Sequence, residues 1–217
     1  MSELTDTLLE SIKKLNLKLL NDAVEKGDKF IPKFHILGEG QDYVIFAPFK
    51  NEEEKIQMLS EVGAFAFEKK SHQIVFICDS YLKTYDNKKD IDYAVENWDT
   101  ERPSLYPEDK RKEALIIYAL DFKDASKESM ITLLYKVVDK QLILEDTNTT
   151  PLHSFSGLIK NTLATSFAKE KLVDILKRRE ILPESFAKWE DKEVSEFMAE
   201  VGKEFAEEYP NILPSLR

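Results

Sequence analysis

The chain has only one cysteine, Cys78, so no disulfide bond can form within it. Cys78 lies in the apolar run QIVFICDS, where cysteine usually acts as a small buried hydrophobic side chain. A reactive thiol is the alternative, and a reducing cytoplasm fits both roles. We predict the structural role, because a chain of 217 residues, 42% of them hydrophobic, can fold around an ordinary core without cross-links.

Histidines and glycines are also few. The three histidines are His35, His72 and His153, and no two of them have the spacing of metal ligands. The turn GEGQD lacks the Gly-Lys-Ser/Thr ending of a phosphate-binding loop, and no Gly-x-Ser-x-Gly motif occurs. These absences argue against zinc, against the standard nucleotide-binding folds and against a serine hydrolase. We therefore predict no metal site and no cofactor.

Basic residues are outnumbered by acidic ones. Lys and Arg total 31 against 41 Asp and Glu, which gives a net charge of -10. Such a surface repels phosphate backbones and anionic lipid, so nucleic acid is a poor candidate partner. No apolar run approaches the roughly 20 residues that span a bilayer, and the start MSELTDTLLE lacks the basic residues of a signal peptide. We predict a cytoplasmic protein that binds neither nucleic acid nor membrane.

Apolar periodicity predicts the first half of the fold. Residues 4–26 carry an apolar side chain every three or four positions, which predicts an amphipathic helix ended by Gly27. FIPKFHIL and YVIFAPF predict a hairpin, and at least one of its strands should lie at a sheet edge because Pro32 and Pro48 lack amide donors. A helix over residues 51–70 and a central strand, HQIVFICDSYL, follow.

The second half predicts three more strands and then helices. EALIIYALDF, SMITLLYKVVD and QLILEDT are joined by short polar turns, which favours antiparallel neighbours. The predicted fold class is α+β: a mainly antiparallel sheet of about six strands with a covering helix, an N-terminal helix and a C-terminal helical segment. The polar stretch DTNTTPLHS predicts a boundary between an α+β sheet domain, residues 1–150, and the helical segment, residues 151–217.

Polar and aromatic residues gather around the end of the central strand. Asp79 and Tyr81 share one face of that strand if its side chains alternate, and a connection of roughly thirty residues follows it. Carboxylates, guanidinium groups and aromatic side chains close to a strand end can form a small polar pocket. The candidate ligand-binding residues are Asp79, Tyr81, Trp98, Arg102, Tyr106, Arg111 and Glu113. We assign no catalytic residue, although Asp79 and Glu113 would suit an acid/base pair.

A structural role for the same residues is the alternative. In that interpretation Arg102 and Arg111 pair with nearby carboxylates. Trp98 and Tyr106 then cover the edge of the core. The loop over residues 98–113 would in that case be a cover for the sheet and not a binding site.

The same part of the chain carries a resemblance. The triplet DSY from Asp79 is followed by PSLYP from Pro103 and by RKEAL from Arg111, which leads into a strand. This arrangement, which covers about fifty residues, resembles a group of prokaryotic and phage α+β proteins of unknown activity. The resemblance implies an α+β sheet and draws attention to Asp79, Tyr81, Pro103, Arg111 and Glu113. It implies no substrate.

Two functional hypotheses follow from the sequence. The first is a non-catalytic interaction or assembly protein, a homo-oligomer that uses the first helix or the C-terminal helices and tail, because amphipathic surface is present at both ends of the chain. The alternative is a small-molecule-binding protein, or an enzyme of an unrecognised type, with a polar cleft around Asp79 and the loop over residues 98–113. Whether the protein is an enzyme stays open.

Overall fold

The computed structural model describes residues 4–38, 40–83, 87–101, 103–107, 110–151, 158–181 and 189–212. For residues 91, 95, 98, 99, 151, 158 and 191 only the backbone is described. The strands are β1 (Lys33–Leu37), β2 (Asp42–Phe46), β3 (Gln73–Leu82), β4 (Lys112–Asp121), β5 (Ser129–Val138) and β6 (Gln141–Pro151). The helices are α1 (Asp6–Lys26), α2 (Glu52–Glu68), α3 (Lys88–Glu96), α4 (Trp98–Glu101), α5 (Leu158–Arg178) and α6 (Asp191–Glu208). The predicted α+β class is confirmed.

The six strands form one antiparallel sheet in the order β2-β1-β3-β4-β5-β6. β2 and β6 are the two edges of the sheet. Pro48 follows β2 closely, and because proline has no amide hydrogen to donate to a neighbouring strand, an edge position is expected for one strand of this hairpin. β3 is interior and its first five residues are buried, because both of its faces are covered. The central position predicted for this strand is thus observed.

One face of the sheet packs against α2, α5 and α6. Alternate residues of β3, including Ile74 and Phe76, join Leu163 and Phe167 of α5 and Phe205 of α6 in a single core cluster. The C-terminal helices therefore bury apolar side chains on the sheet of their own chain, a point that the sequence left open. The division of the chain into two domains near residue 150 stays a prediction.

Helices α2 and α5 approach each other closely at Gly63. A methyl group built on Gly63 would lie 2.5 Å from the Leu163 carbonyl oxygen and 3.0 Å from Ser166 Cβ. Only a residue without a side chain fits between these two backbones. The absence of a side chain at Gly63 therefore allows the close approach of α5 to α2.

The opposite face of the sheet packs against α1. The intervening β3 residues, Val75 and Ile77, join Ile12 and Leu20 of this helix in a second core cluster. Thr5 caps the helix N-terminus by accepting a hydrogen bond from the Leu8 amide, and Gly27 ends the helix with a φ of 74°. None of the described helices is long and apolar enough to cross a membrane.

β6 is longer than the sequence predicted. The expected strand ended at Thr147, whereas β6 continues through the polar residues to Pro151. The reason is its position, because nearly every residue of this edge strand is exposed and no apolar alternation is needed to keep it in the sheet. The polar stretch that predicted a boundary therefore belongs to the sheet over most of its length.

Candidate functional site

Asp79, a residue of the predicted cleft, is joined to Tyr135 of β5 by a hydrogen bond. The Tyr135 hydroxyl donates a hydrogen bond of 2.6 Å to Asp79 Oδ1. Tyr135 is buried at 4% exposure, whereas Asp79 keeps contact with solvent. Desolvation by the surrounding protein raises the pKa of Asp79 above its usual value, although the hydrogen bonds from Tyr135 and from the Ser80 backbone oppose the rise. Desolvation and the neighbouring carboxylate also raise the pKa of Tyr135.

Cross-strand pairing places further polar side chains in the row of Tyr135. Tyr81 of β3 is opposite Glu113 of β4, and Glu113 is opposite Tyr135 of β5. Side chains that are directly opposite in antiparallel strands point to the same face of the sheet. Tyr81, Glu113 and Tyr135 therefore line the face on which α1 packs, beyond the apolar part of that core.

Arg111 fastens the loop that precedes β4. Its guanidinium carbon lies 4.0 Å from the centre of the Tyr81 ring, and Nη1 donates to the backbone carbonyls of Ser104 at 2.9 Å and Tyr106 at 3.1 Å. A planar guanidinium suits this combination of stacking and forked donation. Arg111 thus contacts an aromatic ring and two backbone carbonyls.

Tyr106 makes a second attachment of the same loop. Its hydroxyl donates a hydrogen bond to Glu101 Oε2, and the Lys83 ammonium lies 3.4 Å from the centre of its ring. The hydrogen bond to Glu101 is the largest of the effects that raise the pKa of Tyr106. The loop over residues 103–107 is therefore held at the end of β3 by two aromatic rings and two cations.

Two clefts flank the attached loop. One, of about 420 Å³, is lined by residues of β4, β5 and β6, including Arg111, Glu113 and Tyr135. The other, of about 280 Å³, lies between the start of α2 and the end of β3 and is lined by Glu52, Lys55, Asp79, Ser80, Tyr81, Pro103 and Ser104. Both are large enough for a small polar molecule.

The structure brings most of the predicted site residues together. Asp79, Tyr81, Arg111 and Glu113 lie at the paired ends of β3 and β4, and Tyr106 lies in the loop against them. The Trp98 backbone begins α4, but its side chain and all of Arg102 lie outside the described residues. The sequence missed Tyr135, which reaches Asp79 from two strands away, because no local spacing connects the two positions.

A second polar cluster, at the other end of β3 and β4, was not predicted. Asp121 accepts hydrogen bonds from Gln73 Nε2 at 2.6 Å and from the amides of Lys123 and Asp124 at 2.8 and 3.0 Å. His72 Nδ1 lies 3.3 Å from Asp121 Oδ1. Burial alone would raise the pKa of Asp121, but these neighbours hold it below its usual value.

Glu128 and Lys160 form a buried ion pair beside this cluster. Lys160 Nζ lies 2.8 Å from Glu128 Oε2, and the Glu128 side chain has 0% exposure. Desolvation raises the pKa of Glu128, and the lysine opposes the rise. The pair ties the start of β5 to α5. The sequence gives one signal for this second cluster, which is that Asp121 follows an apolar run. A charged residue at that place is common at the end of any strand, so the signal does not indicate a buried cluster.

The second polar cluster holds elements of the fold together. Asp121 gathers donors from β3 and from the turn after β4, and Asn211 donates from beyond α6 to the Asp121 carbonyl oxygen at 2.9 Å. A carboxylate that accepts this many hydrogen bonds holds elements in place and has little capacity left for a ligand.

Cys78 packs against the core, and burial raises the pKa of its thiol to about 12. Among the described residues, no group of three or more His, Cys, Asp or Glu side chains is placed to hold a metal ion.

Comparison with known proteins gives no relative for this chain, since no protein family, no curated protein and no solved structure matches it.

Proposed function

We propose that this protein is a non-catalytic interaction or assembly protein of the cytoplasm that forms a homo-oligomer. The observation that carries the proposal is apolar surface at both edges of the sheet. On β2, Val44 and Phe46 are 51% and 59% exposed, and on β6, Ile143 and Leu144 are 42% and 43% exposed. Large apolar side chains on an edge strand, next to unpaired backbone groups, favour pairing with another chain.

The first helix supports the same proposal. Leu15 and Leu19 of α1 are 50% and 38% exposed, although the other face of this helix packs on the sheet. The C-terminal helices support it less. Several acidic residues of α6 are paired within the chain. Arg178 at the end of α5 contacts Glu204, and Arg179 just after it contacts both Glu200 and Glu204. Lys171 contacts Glu208. The acidic surface of α6 is therefore partly neutralised before any basic partner arrives.

The test is the mass of the full chain in solution. Multi-angle light scattering over a wide range of protein concentration should give a multiple of the single-chain mass of 25.2 kDa. Sedimentation equilibrium on the same sample checks that the association is reversible. A mass of one chain at every concentration would overturn the proposal.

A small-molecule-binding role is the second candidate, and the cleft beside Asp79 is the observation that favours it. The cleft is lined by Glu52 and Lys55 of α2, by the end of β3 from Asp79 to Tyr81, and by the loop residues Pro103 and Ser104. This lining suits a small polar molecule that carries an amine and an acceptor group. The structural interpretation of the loop weighs against it, because Arg111 and Tyr106 are already occupied in holding the loop.

A fragment library of small polar amines and amides would test this second candidate. Heteronuclear NMR of the labelled protein should show shifts confined to the amides of residues 79–81 and 104. Asp79→Asn should weaken those shifts, whereas Asp146→Asn, on the exposed edge strand, should leave them unchanged. A library that shifts no amide of the cleft at millimolar concentration would exclude the role.

A further inference from the structure

We propose that β6 pairs antiparallel with β6 of a second copy of the chain, about a two-fold axis at Ile143. The inference rests on the proposed homo-oligomer and specifies its surface. Such a pairing would join the two sheets edge to edge into one continuous sheet.

The edge formed by β6 is long and unprotected near its start. β6 spans 11 residues, no strand of the described part of the chain pairs with its outer side, and its first four residues, QLIL, carry no charge and no proline. Natural proteins usually protect such an edge with lysine, proline or a very short strand. β2, the other edge, has two of these features, because it spans only five residues and Pro48 follows it closely.

The hairpin turn decides which backbone groups of β6 face outward. Asp139 and Lys140 form a two-residue turn with φ values of 51° and 63°, and Val138 pairs with Gln141 across it. The pair that closes such a turn exchanges its hydrogen bonds, and bonded pairs alternate along the ladder. Gln141 and Ile143 therefore direct their amides to β5, whereas Leu142 and Leu144 direct theirs to the open edge.

A two-fold axis at Ile143 satisfies these outward groups. It places Leu142 opposite Leu144 of the second copy, so the two pairs related by the axis exchange all of their outward hydrogen bonds. Ile143 lies opposite itself, which brings two half-exposed isoleucines together at the centre. Leu142, Ile143 and Leu144 thus each meet a group that they can pair with or pack against.

Charge also selects this register. With the axis at Ile143, the turn residue Lys140 comes to the end of the paired stretch that is nearest Asp146 of the second copy, where the opposite charges attract. Moving the axis to Leu144 would place Ile143 opposite Glu145 and Leu142 opposite Asp146. Moving it to Asp146 would place two aspartates together. Registers further along β6 would leave Ile143 and Leu144 exposed and would use Pro151, which has no amide donor.

The irregularity in the ladder limits the pairing to this half of the strand. The β5–β6 register shifts between Leu134 and Tyr135, so Glu145 falls out of step with the strand before it. Three paired residues per chain bury less area than the roughly 800 Å² per partner of a standard interface. Val137 and Val138, exposed on the same hairpin, add apolar surface beside the pair. We therefore expect a dimer that dissociates on dilution.

The test compares the two edges of the sheet. Ile143→Lys places two lysines at the axis, and Val44→Lys makes the same change at a similarly exposed position of β2. Ile143→Lys should give the mass of one chain at concentrations where the unmodified protein is a dimer, and Val44→Lys should leave the dimer intact. Circular dichroism and urea unfolding check that both variants are folded.

Disulfide trapping gives a second measurement that does not depend on losing the dimer. In a Cys78→Ala background, Ile143→Cys should form a disulfide between two copies under mild oxidation, because residues at a non-hydrogen-bonded antiparallel pair bring their side chains close. Val44→Cys in the same background should remain largely unlinked.

The outcomes separate the two proposals. If the unmodified chain is an oligomer but Ile143→Lys keeps its mass and Ile143→Cys does not cross-link, the β6 pairing is wrong and the homo-oligomer stands. If Val44→Lys alone dissociates the oligomer, the β2 edge is the interface and the β6 pairing is again wrong. If the unmodified chain is a monomer at every concentration, both proposals are overturned.

Discussion

The Tyr135 hydroxyl reaches Asp79 Oδ1 over an intervening strand, at 2.6 Å and across 56 positions of the sequence. β4 lies between the strands that carry these two residues. The bond therefore spans the sheet at the point where the apolar core under α1 gives way to polar side chains. It joins a buried phenol to a carboxylate that remains in contact with solvent.

We expect Tyr135→Phe to lower the free energy of unfolding by about 1 kcal/mol at neutral pH, since a hydrogen bond to a charged acceptor is lost while the ring stays packed. It should also raise the pKa of Asp79 further, because the bond from Tyr135 now opposes the effect of desolvation. Urea unfolding and NMR titration of the carboxyl carbon measure the two effects. Tyr93→Phe, at a tyrosine with 57% exposure, is the control. An unchanged Asp79 titration would show that the bond does not persist in solution.

We expect Asp121→Asn to destabilise the protein by about 2–3 kcal/mol at neutral pH, because charge-assisted bonds to the donors around it are lost. The pKa of Asp121 is lowered in the folded state, so its contribution is complete above the usual value of 3.8 and is lost as the pH falls through the folded pKa. The gap between variant and unmodified protein should therefore narrow in acid. Urea unfolding across a pH series measures it.

Asp124→Asn is the matched control for that variant. Asp124 is close by, but it is more exposed and caps only a short turn by accepting from Ser126. Its replacement should change the free energy of unfolding by less than about 1 kcal/mol. Equal losses for the two variants would contradict a special role for Asp121.

We expect Lys160→Met to cost about 3–5 kcal/mol, because it leaves Glu128 buried without its partner. Without the lysine the pKa of Glu128 should rise further, so the loss should shrink as the pH is lowered and the carboxyl group takes up a proton. The double variant Glu128→Gln with Lys160→Met should recover much of the stability. A double-mutant cycle from chemical denaturation gives the coupling energy.

The exposed pair Lys136 and Glu145 provides the comparison. Removing it with Lys136→Met should cost no more than about 1 kcal/mol, because water solvates the remaining carboxylate. If the two lysine variants were equally stable, burial of the Glu128 pair would have no energetic consequence in solution.

We expect Gly63→Ala to destabilise the protein by about 1–3 kcal/mol, because the added methyl group would overlap the Leu163 carbonyl and push α5 away from α2. Gly202→Ala in α6 is the control, since a methyl group there meets nothing within 4 Å. That change should stabilise the protein by up to about 1 kcal/mol through helix propensity. Thermal or urea unfolding should thus show shifts of opposite sign, and a shift of the same sign would contradict the close packing.

Much of the fold could be predicted because each element carries its own local signal. The apolar stripe of α1 and its end at Gly27, the turn between β1 and β2, and the unbroken apolar run of β3 are all patterns within one short stretch. β6 shows where such signals fail. The polar half of this edge strand has both faces in water and needs no apolar pattern, so the sequence predicts a linker there.

The site was only partly predictable, because its key contacts join distant parts of the chain. Asp79 stood out as the first ionisable residue after an apolar run, but Tyr135 looked like any aromatic residue of a strand. Asp121 and Gln73 lie 48 positions apart, and Glu128 and Lys160 lie 32 apart. Burial of such pairs is a property of strand order and helix docking, and neither leaves a spacing that a single sequence displays.

The two faces of the sheet differ in how much of the chain must be synthesised before they can close. Among the described residues, the cluster under α1 takes its most C-terminal member from Leu142. The cluster on the other face includes Phe205, Tyr209 and Ile212. On a ribosome, the first face can therefore assemble while the second still exposes apolar side chains of β1, β3 and β4. The nascent chain would depend on α5 and α6 to cover them.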